Sequence, residues 1–464
     1  MSPRPNSLAA KDAAFHFHGY TNALKNEKDG GFVVTRGKGV YIYDEDGKEY
    51  MDGLAGLWCC SLGFGEVPRI TQAIVAQMQA LPYYHTFTQK TAAVVVELAE
   101  KLVSLAPVPM SKAYFCNSGS EANDTVIKMV RYLNNGLGRT QKKKFISRVK
   151  AYHGVTVAAG SLTGLPAIHK DFDLPIAGIL HTDCPHYYRF GQPGETEEQF
   201  ATRCAESLEK MILAEGPDTV AAFIAEPVMG AGGVIVPPRT YWDKIQAVLK
   251  KYDVLLVADE VLTGAGRTGT WSALEPYGVV PDIMTLGKGI AGGYVPLSAV
   301  VTSRRVAEPL ARGSGALAHA QTFSHHPVLC AAGVATLRYL RERRLVERCA
   351  EMGRVLHRRL AELRDLPLVG DVRGRGLLAG IEFVADTDSR EPLPRSARFA
   401  EHFTDAALEE GLVVWPNVGH ADGRNGDLVM LAPPFIVTED QIDELLELWT
   451  RALWRAADRL GATK

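Results

Sequence analysis

The pattern of apolar and polar positions at the start of the chain predicts an arm followed by a β-hairpin. Residues 39–43 are mostly apolar or aromatic, and so is the segment around Tyr50 and Met51. Between them stands Asp46-Gly47, a dipeptide typical of a two-residue turn between paired strands. We therefore predict a hairpin with its turn at these two residues.

From about residue 95, helical and strand-like patterns alternate along the chain. Apolar residues recur with helical spacing over residues 94–105 and 121–133. Short apolar runs, many of them β-branched, occupy residues 113–116, 144–146, 221–224, 254–257, 283–286 and 297–301. Continuous runs of this length are typical of strands buried on both faces, as in a mostly parallel sheet between helix layers. The predicted fold class is therefore α/β.

The last third of the chain has a different pattern, in which long charged amphipathic helices surround short strands. The helices are predicted at residues 328–341, 345–363, 399–410 and 439–455, and the strands near 377–381 and 429–431. We predict three segments: an N-terminal arm and hairpin at 1–59, a large α/β domain at 60–325 and a small α+β domain at 326–464. The arm is expected to complete the small domain.

Composition excludes several classes of function. The 464 residues are 46% hydrophobic and 22% charged, and the formal net charge is −2. This balance gives no global basic field for nucleic acid, and no stretch of about 18 apolar residues predicts a membrane span. Seven cysteines, with none in a C-x-x-C pair, indicate free thiols in a reducing compartment. Since the chain also starts without a secretory signal, we expect a cytoplasmic protein with no nucleic-acid or membrane partner.

Two motifs resemble nucleotide or metal sites but lack the necessary context. Residues 264–269 satisfy G-x-G-x-x-G, yet residues 259–263 separate them from the preceding apolar strand. A dinucleotide fingerprint needs its glycines directly at a strand-to-helix turn, so a nicotinamide dehydrogenase is a remote alternative. His325 and His326 have no metal-ligand spacing around them, and no metal site is expected.

A candidate phosphate site opens one of the predicted helices. Ser118, Gly119 and Ser120 follow the apolar run at 113–116. Gly119 permits a tight turn, Ser120 can cap the helix, and free amides at a helix start suit a phosphate. Taken alone, however, such a segment is more often an ordinary capped helix.

Three further segments follow apolar strands in the same way. Tyr152 could stack on a planar ligand, although most such tyrosines are simply packed. Asp259 directly follows a buried run, where its carboxylate needs either a structural arginine such as Arg267 or a protonated ring nitrogen. Lys288 lies between two glycines, and a lysine in such a place can form a Schiff base. Because ligands of α/β sheets gather at the carboxyl ends of strands, the four segments together predict a pyridoxal phosphate site.

At this point the chain resembles the class III pyridoxal-phosphate-dependent aminotransferases of fold type I. It is similar to the (S)-selective amine:pyruvate and omega-amino acid transaminases, from about Tyr20 to the last helix. The motifs that carry the resemblance are residues 54–59, 81–87, 117–122, Tyr152-His153-Gly154, Ala225-Glu226-Pro227, 230–233, Ala258-Asp259-Glu260-Val261 and Gly287-Lys288-Gly289. Their order and spacing are very specific to the family.

The resemblance implies a role for each residue of the cofactor site. Lys288 would hold pyridoxal phosphate through a Schiff base and then move the proton between the substrate and the cofactor. Asp259 would keep the ring nitrogen protonated, and Tyr152 and Val261 would lie on the two faces of the ring. These assignments imply a fold with a large domain built on a mostly parallel sheet and a smaller α+β domain.

The phosphate and the substrate are assigned by the same resemblance. Ser118, Gly119 and Ser120 would bind the phosphate, and Thr322 would reach it across the interface of a homodimer or a dimer of dimers. Glu226 would lie beside the ring. The residues implied to line the substrate pocket are Leu57, Trp58, Phe87, Tyr152 and Ala231.

Three departures from the family pattern concern the same pocket. Leu262 stands where relatives often have a glutamine that binds the ring hydroxyl, and Ala265 replaces a phenylalanine. Trp415 and Pro416 stand where many relatives have an arginine that binds a substrate carboxylate. A polar insertion follows, in which Arg424 could bind the carboxylate instead, although a solvated loop arginine is the commoner case.

The sequence therefore predicts a transaminase that moves an amino group from a primary amine or omega-amino acid to a keto acid, most directly pyruvate. Trp58, Phe87 and Tyr152, with Trp415 nearby, favour donors that lack an α-carboxylate. An aminomutase of the same fold and a non-catalytic amine-binding relative are the alternatives.

Overall fold

In the computed structural model, which describes residues 3–461, the predicted hairpin is formed by two antiparallel strands. The N-terminal elements are α1 (Leu8–Phe15), α2 (Ala23–Asp29), β1 (Val34–Lys38), β2 (Tyr41–Asp44), β3 (Glu49–Asp52) and the single turn α3 (Ala55–Trp58). The predicted two-residue turn is wrong. Asp44 N–H donates to Lys48 O at 3.1 Å, which leaves residues 45–47 as a three-residue loop. Gly47 occupies the left-handed position (φ +82°) that such a loop uses.

A seven-stranded sheet forms the largest part of the molecule, in the order β4-β10-β9-β8-β7-β5-β6. Its strands and helices are α4 (Pro68–Ala80), α5 (Ala93–Leu105), β4 (Lys112–Cys116), α6 (Gly119–Gly136), β5 (Lys144–Arg148), α7 (Val157–Leu162), α8 (Pro166–His169), β6 (Ile179–Thr182), α9 (Tyr187–Phe190), α10 (Glu197–Glu215), β7 (Val220–Ala225), α11 (Tyr241–Lys251), β8 (Leu255–Glu260), β9 (Ile283–Leu286), β10 (Ser298–Thr302) and α12 (Arg304–Ala311). Strand β10 is antiparallel to both neighbours, and the other strands all run in one direction.

Helices cover both faces of this sheet, as the apolar runs predicted. On β8, Leu255 and Val257 belong to the apolar cluster that includes α6, whereas Leu256 and Ala258 belong to the cluster that includes α10 and α11. Because successive side chains of a strand point to opposite faces, a strand covered on both sides must be apolar throughout. The α/β fold class is confirmed.

The last third of the chain forms one smaller sheet and four long helices, and it adds one strand to the N-terminal sheet. Its elements are α13 (Pro327–Glu342), α14 (Leu345–Glu362), β11 (Val369–Gly374), β12 (Ala379–Asp386), β13 (Glu391–Pro392), α15 (Phe399–Glu410), β14 (Leu412–Val413), β15 (Trp415–Val418), β16 (Asp427–Leu431) and α16 (Glu439–Leu460). Strands β11, β12, β16 and β15 form one sheet, with β13 beside β12. Strand β14 instead pairs in parallel with β3, so one sheet contains strands from both ends of the chain.

The division into segments at 59/60 and 325/326 stays a prediction. Helix α13, just after the second boundary, packs against α4 and α5 as well as α14. None of the helices formed by residues 3–461 has the length and hydropathy needed to cross a membrane.

Candidate active site

The carboxyl ends of the parallel strands meet at one edge of the large sheet, and a cavity of about 480 Å³ opens there. We refer to it as the strand-end cavity. Ten of the residues predicted for the site line it: Trp58, Ser118, Gly119, Ser120, Tyr152, Glu226, Ala231, Asp259, Val261 and Lys288. Residues far apart in sequence converge because all of them except Trp58, which lies on α3, come from segments that end or follow strands of this sheet.

The start of α6 presents free amides to one end of this cavity. Ser118, and not Ser120 as predicted, caps the helix: its Oγ accepts the N–H of Glu121 at 3.2 Å, and its carbonyl accepts the N–H of Ala122 at 3.0 Å. The N–H groups of Gly119 and Ser120 lie in the first helical turn and have no helical acceptor. Together with the helix dipole, they form a place for an anion.

Asp259 is held deep in the same cavity by three donors. Its Oδ2 lies 2.7 Å from His153 Nδ1 and accepts Asn123 Nδ2 at 2.9 Å, and its Oδ1 accepts the N–H of Val261 at 3.1 Å. Burial would raise the pKa of this carboxyl, but the interactions with His153 and Asn123 outweigh burial and lower it. Asp259 therefore stays ionised and can pair with a protonated ring nitrogen.

Glu226 connects two walls of the cavity. Its Oε1 accepts the N–H of Tyr152 at 3.0 Å, and its Oε2 accepts the N–H of Gly230 at 2.8 Å. Burial raises the pKa of Glu226, with smaller opposing contributions from His153 and these hydrogen bonds. Burial and the neighbouring phenol of Tyr20 also raise the pKa of Tyr152.

Lys288 follows β9 in a conformation that is unusual for a residue with a side chain. Its φ is +42°, in the left-handed region, and its ammonium nitrogen lies 5.9 Å from the centre of the Trp58 ring. Burial lowers the pKa of Lys288, although Cys59, Asp259 and Glu226 oppose this shift. A lower pKa increases the fraction of neutral amine, which is the nucleophilic form.

Val261 fits closely between two glycines. A Cβ at Gly119 would come within 3.0 Å of Val261 Cγ1, and a Cβ at Gly287 within 3.1 Å of the same atom. A larger residue at either position would therefore push the valine into the cavity. This close approach explains why glycines stand at these positions.

Five predicted site residues lie outside the lining of the strand-end cavity in their own chain: Leu57, Phe87, Thr322, Trp415 and Arg424. Trp415 packs behind the wall, with its ring centre 6.4 Å from that of Trp58. Arg424 is exposed in the turn after β15, where its N–H donates to Asp422. The roles assigned to these five residues stay predictions.

Sequence reasoning missed several residues that contact the predicted ones. Asn123 and His153 bind Asp259, and Cys59 and Cys60 line the cavity beside Trp58. Asn123 lies one helical turn after Ser120 on α6, a spacing that could have indicated it. His153 offered no such signal, since its partner is 106 positions away.

The cavity fits pyridoxal phosphate on the residues themselves. It combines free helix amides for a phosphate, an ionised carboxylate for a ring nitrogen and a partly buried lysine with a lowered pKa. Within residues 3–461, His153 Nε2 and Asn123 Oδ1 are buried without a hydrogen-bond partner, so both atoms are available to a bound polar group. The side chains present are those that the chemistry of this cofactor requires.

Comparison with known proteins agrees with this geometry. The family pattern of the class-III aminotransferases matches residues 23–453. Gamma-aminobutyrate transaminase 1, mitochondrial, of Oryza sativa subsp. indica is 43% identical over 470 residues, covering 100% of this chain and 89% of the relative. Vanillin aminotransferase of Capsicum frutescens is 43% identical over 436 residues, covering 93% of each protein.

A solved structure resembles the whole fold. The omega transaminase from Pseudomonas jessenii in complex with PMP has a TM-score of 0.94 and 48% identity, covering 99% of this chain and 100% of that one. The predicted fold type I and the pyridoxal phosphate cofactor are confirmed. The chain therefore belongs to the class-III aminotransferase family and is a pyridoxal-phosphate-dependent enzyme that transfers amino groups.

Proposed function

We propose that this aminotransferase takes its amino group from a primary amine or an omega-amino acid and passes it to pyruvate. One observation carries the proposal: among residues 3–461, no arginine lines the strand-end cavity. Because a carboxylate next to the reacting carbon is usually bound by such a guanidinium, its absence favours donors without an α-carboxylate; the choice of pyruvate as acceptor rests instead on the resemblance to the amine:pyruvate transaminases. The indole of Trp415 instead packs against Trp58 behind the cavity wall.

The residues of the cavity have separate roles in the proposed reaction. Bound pyridoxal phosphate supplies an aldehyde for the amine and a ring that withdraws electrons. Ser118, Gly119 and Ser120 hold the phosphate end, and Asp259 keeps a proton on the ring nitrogen. Lys288 would hold the cofactor through its Nζ, and the same amine would carry the proton between the two carbons that exchange it.

The names of the relatives agree with donors whose amine is remote from any carboxylate. One relative is a gamma-aminobutyrate transaminase, one is a vanillin aminotransferase, and one solved omega transaminase was engineered for asymmetric synthesis of enantiopure bulky amines. None of these three names specifies an α-amino acid as the substrate. Apolar pockets distinguish close homologues by only about 1–3 kcal/mol per methylene, so we propose that several donors are accepted.

A panel of donors and acceptors tests this proposal. Purified holoenzyme is incubated with 1-phenylethylamine, putrescine, β-alanine, taurine or GABA, each with pyruvate or 2-oxoglutarate, and the amino acid formed is measured. We expect alanine from pyruvate with several donors and little glutamate from 2-oxoglutarate. A strong preference for 2-oxoglutarate, or activity with α-amino acid donors alone, would refute the proposal.

We further propose that the active unit is a homodimer or a dimer of dimers. Phe87 and Thr322 are exposed and lie away from the cavity of their own chain. Tyr83 connects the two segments, since its hydroxyl donates to Thr322 O at 2.7 Å and its ring packs against Phe323. In a dimer, this surface of one chain would lie against the strand-end cavity of the other chain, and the exposed aromatic rings would be buried.

We infer the cytoplasm as the compartment from the cysteines. All seven are free thiols, and five are buried. Free thiols in this number are typical of a reducing compartment. Fractionation of the source cells with an antibody against the chain tests the inference, and recovery in an organelle fraction would contradict it.

A further inference from the structure

The loop Gly230–Gly233 forms one wall of the strand-end cavity through Ala231. We refer to it as the glycine loop. Three of its four residues lack side chains, and neighbouring segments come close to them: a Cβ at Gly232 would lie 2.1 Å from Lys150 O, and one at Gly230 2.3 Å from Leu262 Cδ1. Inside the loop, the N–H groups of Gly233 and Val234 both donate to Gly230 O at 2.9 Å. Contacts from other segments therefore determine where Ala231 lies.

The first of these contacts comes from the large sheet. Glu226, just after β7, accepts the N–H of Gly230 on one carboxylate oxygen and the N–H of Tyr152 on the other. The start of the glycine loop is thus tied to the residue proposed to cover the cofactor ring. This contact fixes the loop relative to the cofactor but leaves the carbonyl of Ala231 unrestrained.

A second contact anchors the other end of the loop. Arg373 on β11 donates its Nε to Gly233 O at 2.9 Å. The same guanidinium donates to Asp371 at 2.8 Å and to the buried Glu382 at 2.7 Å. A guanidinium held by two carboxylates is a rigid support.

The third contact acts on Ala231 itself. Asn417 on β15 donates its Nδ2 to Ala231 O at 2.7 Å. Trp415 and Asn417 are two residues apart on an edge strand and so project from the same face of it. One side chain packs against Trp58, and the other bonds to Ala231, so both contact residues that line the cavity.

We propose that Asn417 is a positioning residue that sets the largest donor the cavity accepts, by holding Ala231 against it. This inference rests on the proposed function. Without the amide, the carbonyl of Ala231 loses its donor, and Ala231 is no longer held in place from β15. The free energy of one neutral hydrogen bond is enough to change the ratio of two loop positions about fivefold. The kcat/KM should therefore rise for donors that need more space beside Ala231.

Two variants and one control test this role. Asn417→Ala removes the amide, and Asn417→Asp keeps its shape but replaces the donor with an acceptor. Asn425→Ala is the control, because Asn425 lies in the connection that follows β15 and bonds to Asp422 and Arg395 rather than to the glycine loop. The rates are measured with 1-phenylethylamine and with 1-phenylpropylamine, which is one methylene larger. Hydrogen exchange of the peptide covering residues 228–236 is followed by mass spectrometry.

We expect both Asn417 variants to raise the kcat/KM ratio of the larger to the smaller amine about fivefold and to speed exchange in the loop peptide. The control should keep the ratio and the exchange of the parent. Unchanged exchange in both Asn417 variants would overturn the inference, as would faster exchange with an unchanged ratio. If the parent enzyme uses no amine at all, the proposed function fails, and loop exchange in the two variants still decides the positioning role.

Discussion

Asp259 keeps a negative charge in a fully buried position because the protein surrounds it with donors. An isolated buried carboxylate would take up a proton, since burial favours the neutral form. His153, Asn123 and the amide of Val261 reverse this preference and lower the pKa of Asp259. The adjacent Glu260 has the opposite outcome: burial raises its pKa, and its bonds to Ser272 and Thr263 only moderate that shift.

The contrast between these neighbours gives a matched pair of variants. Asp259→Asn preserves size and removes the charge, so we expect cofactor binding to persist while the rate of amino transfer falls about 100-fold or more. Glu260→Gln should leave the rate within about threefold, because Glu260 does not line the cavity. Single-turnover spectroscopy of the donor half-reaction measures both. A parental rate in Asp259→Asn would show that this carboxylate does not act on the ring.

Lys150 is a buried lysine whose ammonium has no hydrogen-bond partner within residues 3–461. Burial lowers its pKa to about 8, although Cys184 and Glu382 oppose the shift. Its nitrogen lies 5.1 Å from the centre of the Phe190 ring, a contact that compensates the lost hydration only in part. The folded protein therefore holds this charge at a cost whenever the pH is below 8.

This cost predicts a specific dependence of stability on pH. Between pH 8 and the ordinary lysine pKa of 10.5, the unfolded chain binds a proton at Lys150 that the folded chain does not, so stability rises with pH in that window. Lys150→Met should therefore be about 3 kcal/mol more stable than the parent at pH 7, and the difference should vanish near pH 10.5. Urea unfolding at several pH values measures it, with exposed Lys250→Met as the control.

At the scale of elements, α6 connects the cofactor site to the packing of the sheet. Its apolar face includes Val126, Met129, Val130 and Leu133, all buried against the strands. Packing of this face fixes the helix, and the helix start then fixes the free amides and the contact between Gly119 and Val261. The helix has a second glycine, Gly136, at its other end, where a Cβ would meet only Gly313 at 3.5 Å.

The two glycines of α6 should respond differently to the same substitution. Gly119→Ala pushes Val261 into the space proposed for the ring, and we expect cofactor affinity to fall at least about tenfold, since overpacking costs about 1–3 kcal/mol. Gly136→Ala should leave cofactor affinity unchanged and add up to about 1 kcal/mol of stability, because alanine is the better helix former. Titration of apoenzyme with pyridoxal phosphate measures the affinities. Equal affinities in the two variants would contradict the proposed location of the ring.

The elements show what a sequence pattern can and cannot specify. Helix α15 begins and ends where its apolar spacing predicted, and α6 extends the predicted helix by only a few residues at each end. The reversed direction of β10 was not predicted, because a strand buried on both faces has the same apolar run in either orientation. Local signals thus define single elements, whereas their relative directions depend on tertiary contacts.

The same limit applies to the candidate site. Ser118, Asp259 and Lys288 could be predicted because each stands at a strand end, which is a local property. His153 and Asn417 could not, since their partners are 106 and 186 positions away. The loop after β2 has three residues instead of the predicted two, because Asp44 pairs with Lys48.

At the scale of the whole molecule, one chain supplies only part of the site that the sequence predicts. The strand-end cavity contains the lysine, the carboxylates and the helix amides, but Phe87 and Thr322 lie on a separate exposed surface. That surface also borders an open groove lined by Phe87, Tyr114 and His319. If the surface completes the cavity of a second copy, Thr322 of one chain contributes to the cofactor site that contains Lys288 of the other.

Mixed dimers distinguish a threonine that acts across an interface from one that acts in its own chain. A Lys288→Ala chain and a Thr322→Ala chain carry different affinity tags, are expressed together, and the doubly tagged dimer is purified. Only one of its two sites retains Lys288. If Thr322 acts across the interface, that site receives an intact Thr322 from the Lys288→Ala chain. If Thr322 acts in its own chain, that site has no threonine.

We therefore expect the mixed dimer to bind pyridoxal phosphate at its lysine-containing site with the affinity of the parent. The Thr322→Ala homodimer should bind about tenfold or more weakly, because a hydrogen bond to a charged phosphate contributes about 1.5–3 kcal/mol. A dimer of Lys288→Ala with an unmodified chain calibrates the affinity of a single intact site. An affinity equal to that of the Thr322→Ala homodimer, or failure to isolate a doubly tagged dimer, would contradict a shared site. Since affinity rather than rate is measured, the result does not depend on which donor the enzyme uses.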